Sequence, residues 1–406
     1  MPKTTGRAGI RALIPKAKVL LLTAAFALTA TTTAAAAPAA APPAPPAPAA
    51  SGWQPVAAPD AQGFSSYLPF GGGSAFARSS RQTTVTCLPC EYVHTLWSKT
   101  STTAWRKVPL PTGGSTDVLA GTAPDDAWGF GRNDRGYFSG HHWNGTAWTN
   151  RTVPDMETLA ARATSRGTVW AVGNLRAADD TSPGVVARWD GAKWSLAKFA
   201  VPGHATSLRA LHVVSDNDIW AVGSTSPRVL KAVSRPYAVH WDGTSWSEVE
   251  LPAVSTLSAR ATAVTVGRNG EVWIGGMDRN PWADAGTGPP KAFALRRDAA
   301  GWKLTFVPVT QPTGEESRDS LEVSALAFHD GQLLAGLTAH DSKNQSLARW
   351  TGTAWEPLPG PGTGSYSQVA ALTTTADGTL WASGLYSPRY KYEGFAASLA
   401  PGVSAG

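Results

Sequence analysis

Residues 241–246 read WDGTSW, a compact turn with a tryptophan at each end. Asp-Gly between β-forming residues is a strong signal for a hairpin whose central residues need positive φ angles. Copies recur at 143–148 (WNGTAW), 189–194 (WDGAKW), 297–302 (RDAAGW) and 350–355 (WTGTAW), with a looser one at 97–105 (WSKTSTTAW). The motif therefore predicts a recurring pair of short antiparallel strands.

Two further strand signals precede each hairpin. One is a turn that enters a short apolar segment, as in NDIWAVG at 217–223, and the other is a segment with one small residue in register, at Ala120, Ala161, Ala210, Ala263, Ala325 and Ala371. The tryptophans that close the units lie 43 to 56 residues apart, at Trp53, Trp105, Trp148, Trp194, Trp246, Trp302 and Trp355. Seven four-stranded units at this period predict an all-β fold, a seven-bladed β-propeller of antiparallel blades. Six blades are the alternative, because residues 62–111 form the least regular unit.

The two ends of the repeat predict how the ring closes. The last unit stops after its third strand, GFAASLA at 394–400, whereas SGWQPVAAP from Ser51 has the pattern of a fourth strand with no unit before it. We expect residues 52–58 to complete the C-terminal blade, since this pairing removes two exposed strand edges.

The first 50 residues have the composition of an export signal and a spacer. Five basic residues and no acidic one precede an apolar run of about 12 residues and a row of small residues, which predicts a signal peptide at 1–37. The run is too short to span a bilayer, so no membrane insertion is expected. Residues 38–50 are a Pro/Ala linker, and the propeller domain spans 51–406. We predict a secreted protein.

Charge and motif content exclude several functional classes. Beyond the signal peptide 30 Lys and Arg face 29 Asp and Glu, so a nucleic acid partner is not expected. The sequence has no HExxH zinc motif, nucleophile elbow, phosphate loop or calcium loop, and no cofactor or metal is predicted. Its two cysteines, Cys87 and Cys90 in CLPC, predict a local disulfide in an exported protein.

The remaining chemistry lies in the long links between the second and third strands. Of the 18 tryptophans 17 occupy repeat positions, and Trp282 alone does not. Flat rings beside hydrogen-bonding side chains suit sugars, so these links predict a glycan site. Its candidate ligand-binding residues are Tyr137, Asp278, Arg279, Trp282, Asp284, Tyr386, Arg389, Tyr390 and Tyr392. The alternative is that Trp282 only anchors its own loop.

Catalysis has weaker support in the sequence. His142 and His240 occupy the position before the hairpin that Arg188, Arg296 and Arg349 occupy elsewhere, which indicates a repeated structural role. Carboxylates from separate loops, such as Asp180, Asp284 or Glu393, could still form the pair that glycoside hydrolysis requires. A polysaccharide hydrolase or lyase is therefore an alternative to a lectin. A scaffold that docks a protein partner is the other.

The segment NDIWAVG at 217–223, followed by HWDGTSWSEVELP at 240–252, resembles the repeats of exported bacterial β-propellers. With the signal peptide and the Pro/Ala spacer, residues 51–406 also resemble the lectin subunits of umbrella toxin particles. That resemblance implies glycan or cell-wall polysaccharide as ligand, and an adaptor and a large toxin subunit as partners in an antibacterial complex. The sequence lacks the GDSGG segment of the trypsin-like domain that some of those subunits carry, so it matches the lectin-only kind.

Overall fold

A computed structural model describes residues 52–60, 63–82, 92–133, 136–153, 155–176, 182–228, 233–255, 258–278, 291–308, 321–339, 345–361, 366–387 and 393–405. The predicted signal peptide and linker, and the predicted disulfide between Cys87 and Cys90, lie outside these residues. The regular elements of the described residues are all β-strands. None of their segments forms a helix with the length and apolarity needed to cross a membrane.

Strand β1 (Gln54–Pro55) comes first in the chain, and five separate four-stranded antiparallel sheets follow it. In chain order they are β2 (Ser66–Gly71), β3 (Ser74–Gln82), β4 (Tyr92–Lys99) and β5 (Arg106–Val108); β6 (Val118–Ala123), β7 (Asp126–Arg132), β8 (Phe138–Trp143) and β9 (Trp148–Asn150); β10 (Met156–Ser165), β11 (Thr168–Leu175), β12 (Gly184–Trp189) and β13 (Trp194–Phe199); β14 (His204–Ser215), β15 (Asp218–Pro227), β16 (Arg235–Trp241) and β17 (Trp246–Glu248); β18 (Arg260–Val266), β19 (Val272–Met277), β20 (Ala292–Asp298) and β21 (Gly301–Phe306). Each sheet pairs its strands in sequence order. The irregular unit at 62–111 thus provides a four-stranded sheet like the others.

The remaining strands belong to one eight-stranded sheet that contains two groups of four. The groups are β22 (Glu322–His329), β23 (Gln332–Ala339), β24 (Leu347–Trp350) and β25 (Trp355–Leu358), and β26 (Tyr366–Thr374), β27 (Leu380–Ser387), β28 (Glu393–Leu399) and β1. Two residue pairs between β23 and β26 join them. In the second group Gln54 pairs with Ser398 and Pro55 with Ala397, so the predicted pairing of the N-terminal segment with the last sheet is present.

The apolar core is shared between neighbouring sheets. The first strand of each sheet contacts the first strand of the next, and β2 also contacts β27 of the last group. The buried clusters combine residues of adjacent sheets, as where Trp128 and Phe130 of one sheet pack with Val169 and Val185 of the next. Meanders that bury their faces only against their neighbours are the defining feature of a β-propeller.

The repeated tryptophans join one sheet to the next. The closing tryptophan of a sheet packs on the second-strand tryptophan of the sheet before it, with ring centroids 6.0 Å apart for Trp194 and Trp128, 6.1 Å for Trp246 and Trp170, and 5.7 Å for Trp355 and Trp273. A buried tryptophan removes about 150–250 Å² from water, so each pair is a large share of an inter-sheet contact. The contacts confirm the structural role predicted for these residues.

A hydrogen bond repeats together with this packing. The indole N–H of Trp194 donates to the carbonyl of Arg151, which follows the outer strand of the preceding sheet, at 2.8 Å. Trp148 donates in the same way to Pro109 at 2.7 Å. Trp105, in the first sheet, donates to Ala57 at 3.1 Å. Since Ala57 follows β1, the first sheet contacts the outer strand of the last group as other sheets contact their predecessors.

The hairpin turns differ from the prediction in one respect. Gly243 has a φ of 92°, but Asp242 is not among the non-glycine residues with positive φ, so one central residue of the turn adopts that conformation and not both. The Asp242 side chain instead accepts hydrogen bonds from the N–H groups of Thr244 and Ser245, both at 2.8 Å. An Asx turn of this kind explains why Asp or Asn precedes the glycine.

The predicted row of small residues is correct at four of its six positions. Ala210, Ala263, Ala325 and Ala371 all pair with the residue two positions after the tryptophan, or its leucine equivalent, of the second strand. In the third sheet that position belongs to Ala160 and not to Ala161. In the second sheet Ala120 pairs directly with Trp128, two positions away. The misassignment arises because irregularities of register are invisible in the sequence.

Candidate functional site

The links between second and third strands, and those between sheets, lie on one side of each meander, which we call the loop face. Tyr137 is the most exposed large aromatic residue of the described part, at 61%. Its loop is held by two hydrogen bonds with Asn133, one from the Tyr137 N–H to the Asn133 side chain at 2.9 Å and one from the Asn133 N–H to the Tyr137 carbonyl at 2.7 Å. The ring therefore stands on a tight loop and faces solvent.

Asp278, another predicted ligand, is only 8% exposed. Its N–H donates to the Lys291 carbonyl at 2.9 Å, and its carboxylate accepts the Lys291 N–H at 2.6 Å. Asp278 thus fastens the base of the loop at 279–290. Tyr386 pairs across the strands with Glu393 and donates its hydroxyl proton to that carboxylate at 2.9 Å. Burial, with help from this hydrogen bond, raises the pKa of Tyr386.

Tyr137, Asp278 and Tyr386 belong to three different sheets. The other predicted ligands lie outside the described residues: Arg279, Trp282, Asp284, Arg389, Tyr390 and Tyr392. Their role in ligand binding stays a prediction.

An aromatic and polar group surrounds Phe138, the neighbour of Tyr137. The guanidinium carbon of Arg132 lies 4.5 Å from the Phe138 ring centroid, and that of Arg176 lies 5.6 Å from it. Arg132 also binds Glu157 of the third sheet at 3.1 Å. Two exposed cations over an aromatic ring, beside a solvent-facing tyrosine, provide both stacking surface and hydrogen-bond donors.

Ion pairs connect neighbouring sheets along the loop face. Besides the pair of Arg132 and Glu157, they are Arg78 with Asp117 at 2.6 Å and Arg260 with Glu322 at 2.9 Å. Burial opposes the ionisation of Asp117, but hydrogen bonds from Ser115 and Arg78 outweigh it and lower the pKa of Asp117. Asp117 is therefore held as an anion by Ser115 and Arg78.

Residues of β2, β6, β10, β14, β18, β22 and β26, the first strands of the seven four-stranded groups, line a space that we call the central channel. It comprises two adjoining pockets of about 660 Å³ and 500 Å³, which share the lining residues Arg162, Val264, Leu326 and Leu372. The smaller pocket extends toward the loop face, where Asp117 lines it.

A β-bulge recurs in the first strand of five successive four-stranded groups, the last two of which belong to the eight-stranded sheet. The residue skipped by the pairing register occupies the same position in each and lines the smaller pocket: Leu159, Arg209, Thr262, Ser324 and Ala370. Two of these residues bond to the next sheet, Thr262 to the Val323 carbonyl and Ser324 to the Val369 carbonyl, both at 2.6 Å. Bulges re-aim side chains, and here they turn Arg209 into the channel.

Arg162 and Arg209 carry the free positive charge of the channel. In the part of the chain that the structure describes, neither guanidinium has a carboxylate within 4.0 Å. Arg162 is exposed on the wall of the channel, where it lines both pockets. The Nε atom of Arg260 is buried and has no hydrogen-bond partner among the described residues.

Arg162 and Arg209 belong to no repeat position or motif of the sequence and were not among the predicted ligands. The available signal was an arginine inside a strand of small and apolar residues, as in LAARAT at 159–164 and LRALHV at 208–213. The repeat predicted a structural role for the position of His142 and His240, and the described contacts agree. The side chain lies over the tryptophan of its own second strand and binds a nearby carboxylate: His142 on Trp128 (4.6 Å) with Asp126 (2.7 Å), His240 on Trp220 (4.3 Å) with Asp218 (2.9 Å), and Arg296 on Trp273 (5.6 Å) with Glu271 (2.9 Å). The described residues contain no group of three His, Cys, Asp or Glu that could hold a metal ion.

His212 makes stability depend on pH. Burial, and secondarily the charge of Arg162, lowers the pKa of His212 to about 4. An ordinary histidine in the unfolded chain titrates near 6.5, so between pH 6.5 and 4 the unfolded state binds a proton that the folded state does not. We expect the native chain to lose about 1 to 3 kcal/mol of stability to this group as the pH falls through that range. Urea unfolding of wild type and His212→Gln at pH 7 and pH 4.5 measures it. Equal losses in the two proteins would contradict the expectation.

No known family model matches the chain, and no curated protein is similar to it in sequence. Several solved structures have similar folds. The β-propeller domain of the Trilobed protease from Pyrococcus furiosus is 11% identical with a TM-score of 0.49, over 82% of this chain and 94% of that one. The SapL1 lectin in complex with α-methyl fucoside is 12% identical with a TM-score of 0.43, over 74% and 97%. The α-L-arabinanase of Penicillium chrysogenum, in complex with arabinobiose, is 13% identical with a TM-score of 0.41, over 68% and 89%. Similarity at this level leaves the activity of the chain open.

Proposed function

We propose that this protein is a secreted, non-catalytic carbohydrate-binding β-propeller whose ligand occupies the loop face. The observation that carries the proposal is the exposed ring of Tyr137 beside the Arg132, Phe138 and Arg176 group. The apolar C–H face of a sugar packs on a flat ring, while its hydroxyls bond to neighbouring polar side chains. The predicted ligands Trp282 and Tyr390 would extend the same aromatic surface.

The architecture that presents this surface is, in our proposal, a closed ring of seven blades. The eight-stranded sheet then counts as two blades, with β1 as the outer strand of the last. The support is the bond from Trp105 to Ala57, which repeats across the junction of first and last sheets the bonds of Trp148 and Trp194 elsewhere.

A binding role is favoured over hydrolysis by the state of the described carboxylates. A glycosidase needs one carboxylic acid whose pKa is raised, so that it can protonate the leaving group. Glu157 and Glu322 are paired with arginines. Asp117 is paired with Arg78, and hydrogen bonds from Ser115 and Arg78 lower its pKa rather than raise it. Incubating the protein with cell-wall and plant polysaccharides tests the enzyme alternative. Product release abolished by a single carboxylate substitution would overturn the non-catalytic assignment.

The finer proposal is that the protein is the cell-surface-binding subunit of an antibacterial toxin particle. It rests on the signal peptide, the Pro/Ala spacer and the repeat resemblance described above. Purification of the tagged protein from culture supernatant tests it, with co-purification of an adaptor and a large toxin as the expected result. Recovery of the propeller without partners would remove the proposal but leave glycan binding intact.

Tyr137→Ala is expected to weaken glycan binding about tenfold, which corresponds to about 1.4 kcal/mol of lost stacking. A cell-wall glycan screen followed by calorimetry on the best ligand measures the change, and Trp282→Ala is the second test variant. The matched control is Leu196→Ala, because Leu196 is also exposed, at 41%, but lies on the outer strand β13. Unchanged affinity in both Tyr137→Ala and Trp282→Ala would remove the site assignment.

A further inference from the structure

The smaller pocket of the central channel is lined by more positive charge than its own carboxylate neutralises. Its charged lining residues are Arg162, Arg209 and Asp117, and the larger pocket adds Asp216. Asp117 is paired with Arg78, and neither Arg162 nor Arg209 has a carboxylate within 4.0 Å among the described residues. Guanidinium groups stay protonated at neutral pH, so the excess charge is permanent.

The two free arginines face the same pocket. Both line the 500 Å³ space, Arg209 at its bulge position and Arg162 where this pocket adjoins the larger one. Both side chains are exposed within the channel, so an anion that enters it can reach them and pair with their guanidinium groups. Arginine is also the side chain best matched to a planar carboxylate, which it binds through two parallel hydrogen bonds.

The rest of the pocket wall is suited to a sugar. Ser66 and Ser383 line it with hydroxyls. Thr262 and Ser324 donate their hydroxyl protons to neighbouring carbonyls, so only their oxygens can accept a hydrogen bond from a sugar. The pocket volume lies within the range of about 300–1,000 Å³ that is common for small-ligand sites. A neutral apolar ligand would leave both guanidinium groups unmatched.

We propose that the central channel binds the carboxylate-bearing end of an acidic polysaccharide, with Arg209 and Arg162 as the residues that hold the anionic group. This inference rests on the proposed carbohydrate-binding function and specifies its ligand class. The loop-face aromatic residues then contact the sugar rings outside the channel, and the arginines select chains that contain uronic acids.

Calorimetric titration of the full-length exported protein with oligogalacturonate, a neutral oligogalactan and inorganic sulfate tests the proposal. We expect oligogalacturonate to bind at least tenfold more tightly than the neutral chain, with an affinity that falls as salt is raised. Arg209→Gln and Arg162→Gln should each weaken that binding at least fivefold and leave neutral-chain binding unchanged. Arg106→Gln, on the outer strand β5, is the matched control and should bind like wild type.

Each of the other outcomes of these titrations contradicts one named part of the proposal. Equal affinity for acidic and neutral chains, insensitive to both channel substitutions, overturns the channel site while the lectin function stands. Sulfate that binds as tightly as oligogalacturonate at the same arginines overturns the polysaccharide as occupant and indicates a simple counterion. Thermal unfolding of each variant shows whether it is folded, and a folded variant that binds normally counts against its arginine. Binding that depends on the arginines but not on Tyr137 places the ligand in the channel alone.

Discussion

Trp273→Ala is expected to lower the free energy of unfolding by about 3 to 5 kcal/mol. The side chain is fully buried, and its ring lies 5.2 Å from that of Trp350 and 5.7 Å from that of Trp355 of the next sheet. Truncation leaves a cavity between two sheets that cannot collapse, because strands on both sides are fixed by their own ladders. It also removes the ring beneath the Arg296 guanidinium.

Trp273→Phe is the matched control for this prediction. The indole N–H of Trp273 has no hydrogen-bond partner among the described residues, so phenylalanine loses volume but no bond. We expect it to cost less than half as much as alanine, as measured by urea unfolding followed by tryptophan fluorescence. A Phe variant as unstable as the Ala variant would show that the indole N–H of Trp273 donates to a group outside the described residues.

Trp53→Ala is the second large expected effect, at about 3 to 5 kcal/mol. Trp53 is 5% exposed and packs in the core cluster that contains Leu380 and Leu399 of the last group. Its loss also loosens β1, which pairs with β28 through only two residues. The unpaired edge of β28 then becomes available for association between molecules.

Urea unfolding and size-exclusion chromatography measure both consequences, and Gln54→Ala is the control. Gln54 is exposed in the same short strand, so its truncation keeps the backbone pairing and should change stability by less than about 0.5 kcal/mol. A monomeric Trp53→Ala protein that unfolds at the wild-type urea concentration would show that the last sheet does not depend on the N-terminal segment.

The strand layout was predictable from the sequence because its signals are local. Asp242 and Gly243 mark a turn whatever lies around them, and a tryptophan every 43 to 56 residues marks the unit. The pairing of β1 with β28 was predictable as well. Residues 52–58 have the pattern of a fourth strand, and the last unit of the repeat has only three strands of its own. These inferences need only the order of elements along the chain.

The channel arginines were not predictable in the same way. Whether Arg209 points into the channel or between sheets depends on one skipped residue in the ladder of β14 and β15, and no residue type marks that position. The small-residue row failed at Ala161 for the same reason. The residues that line the channel are far apart in sequence and come together only when the sheets pack. The net charge of the channel therefore cannot be read from any single segment of the sequence.

The pairing of Gln54 with Ser398 also has a consequence during synthesis. The partner strand leaves the ribosome 344 residues after Gln54. At translation rates of about 5 to 20 residues per second the N-terminal segment waits about 20 to 70 s for its place in a sheet. A chain that stops before β28 can never fill that place, so the N-terminal segment is paired only in chains that contain residues 393–399.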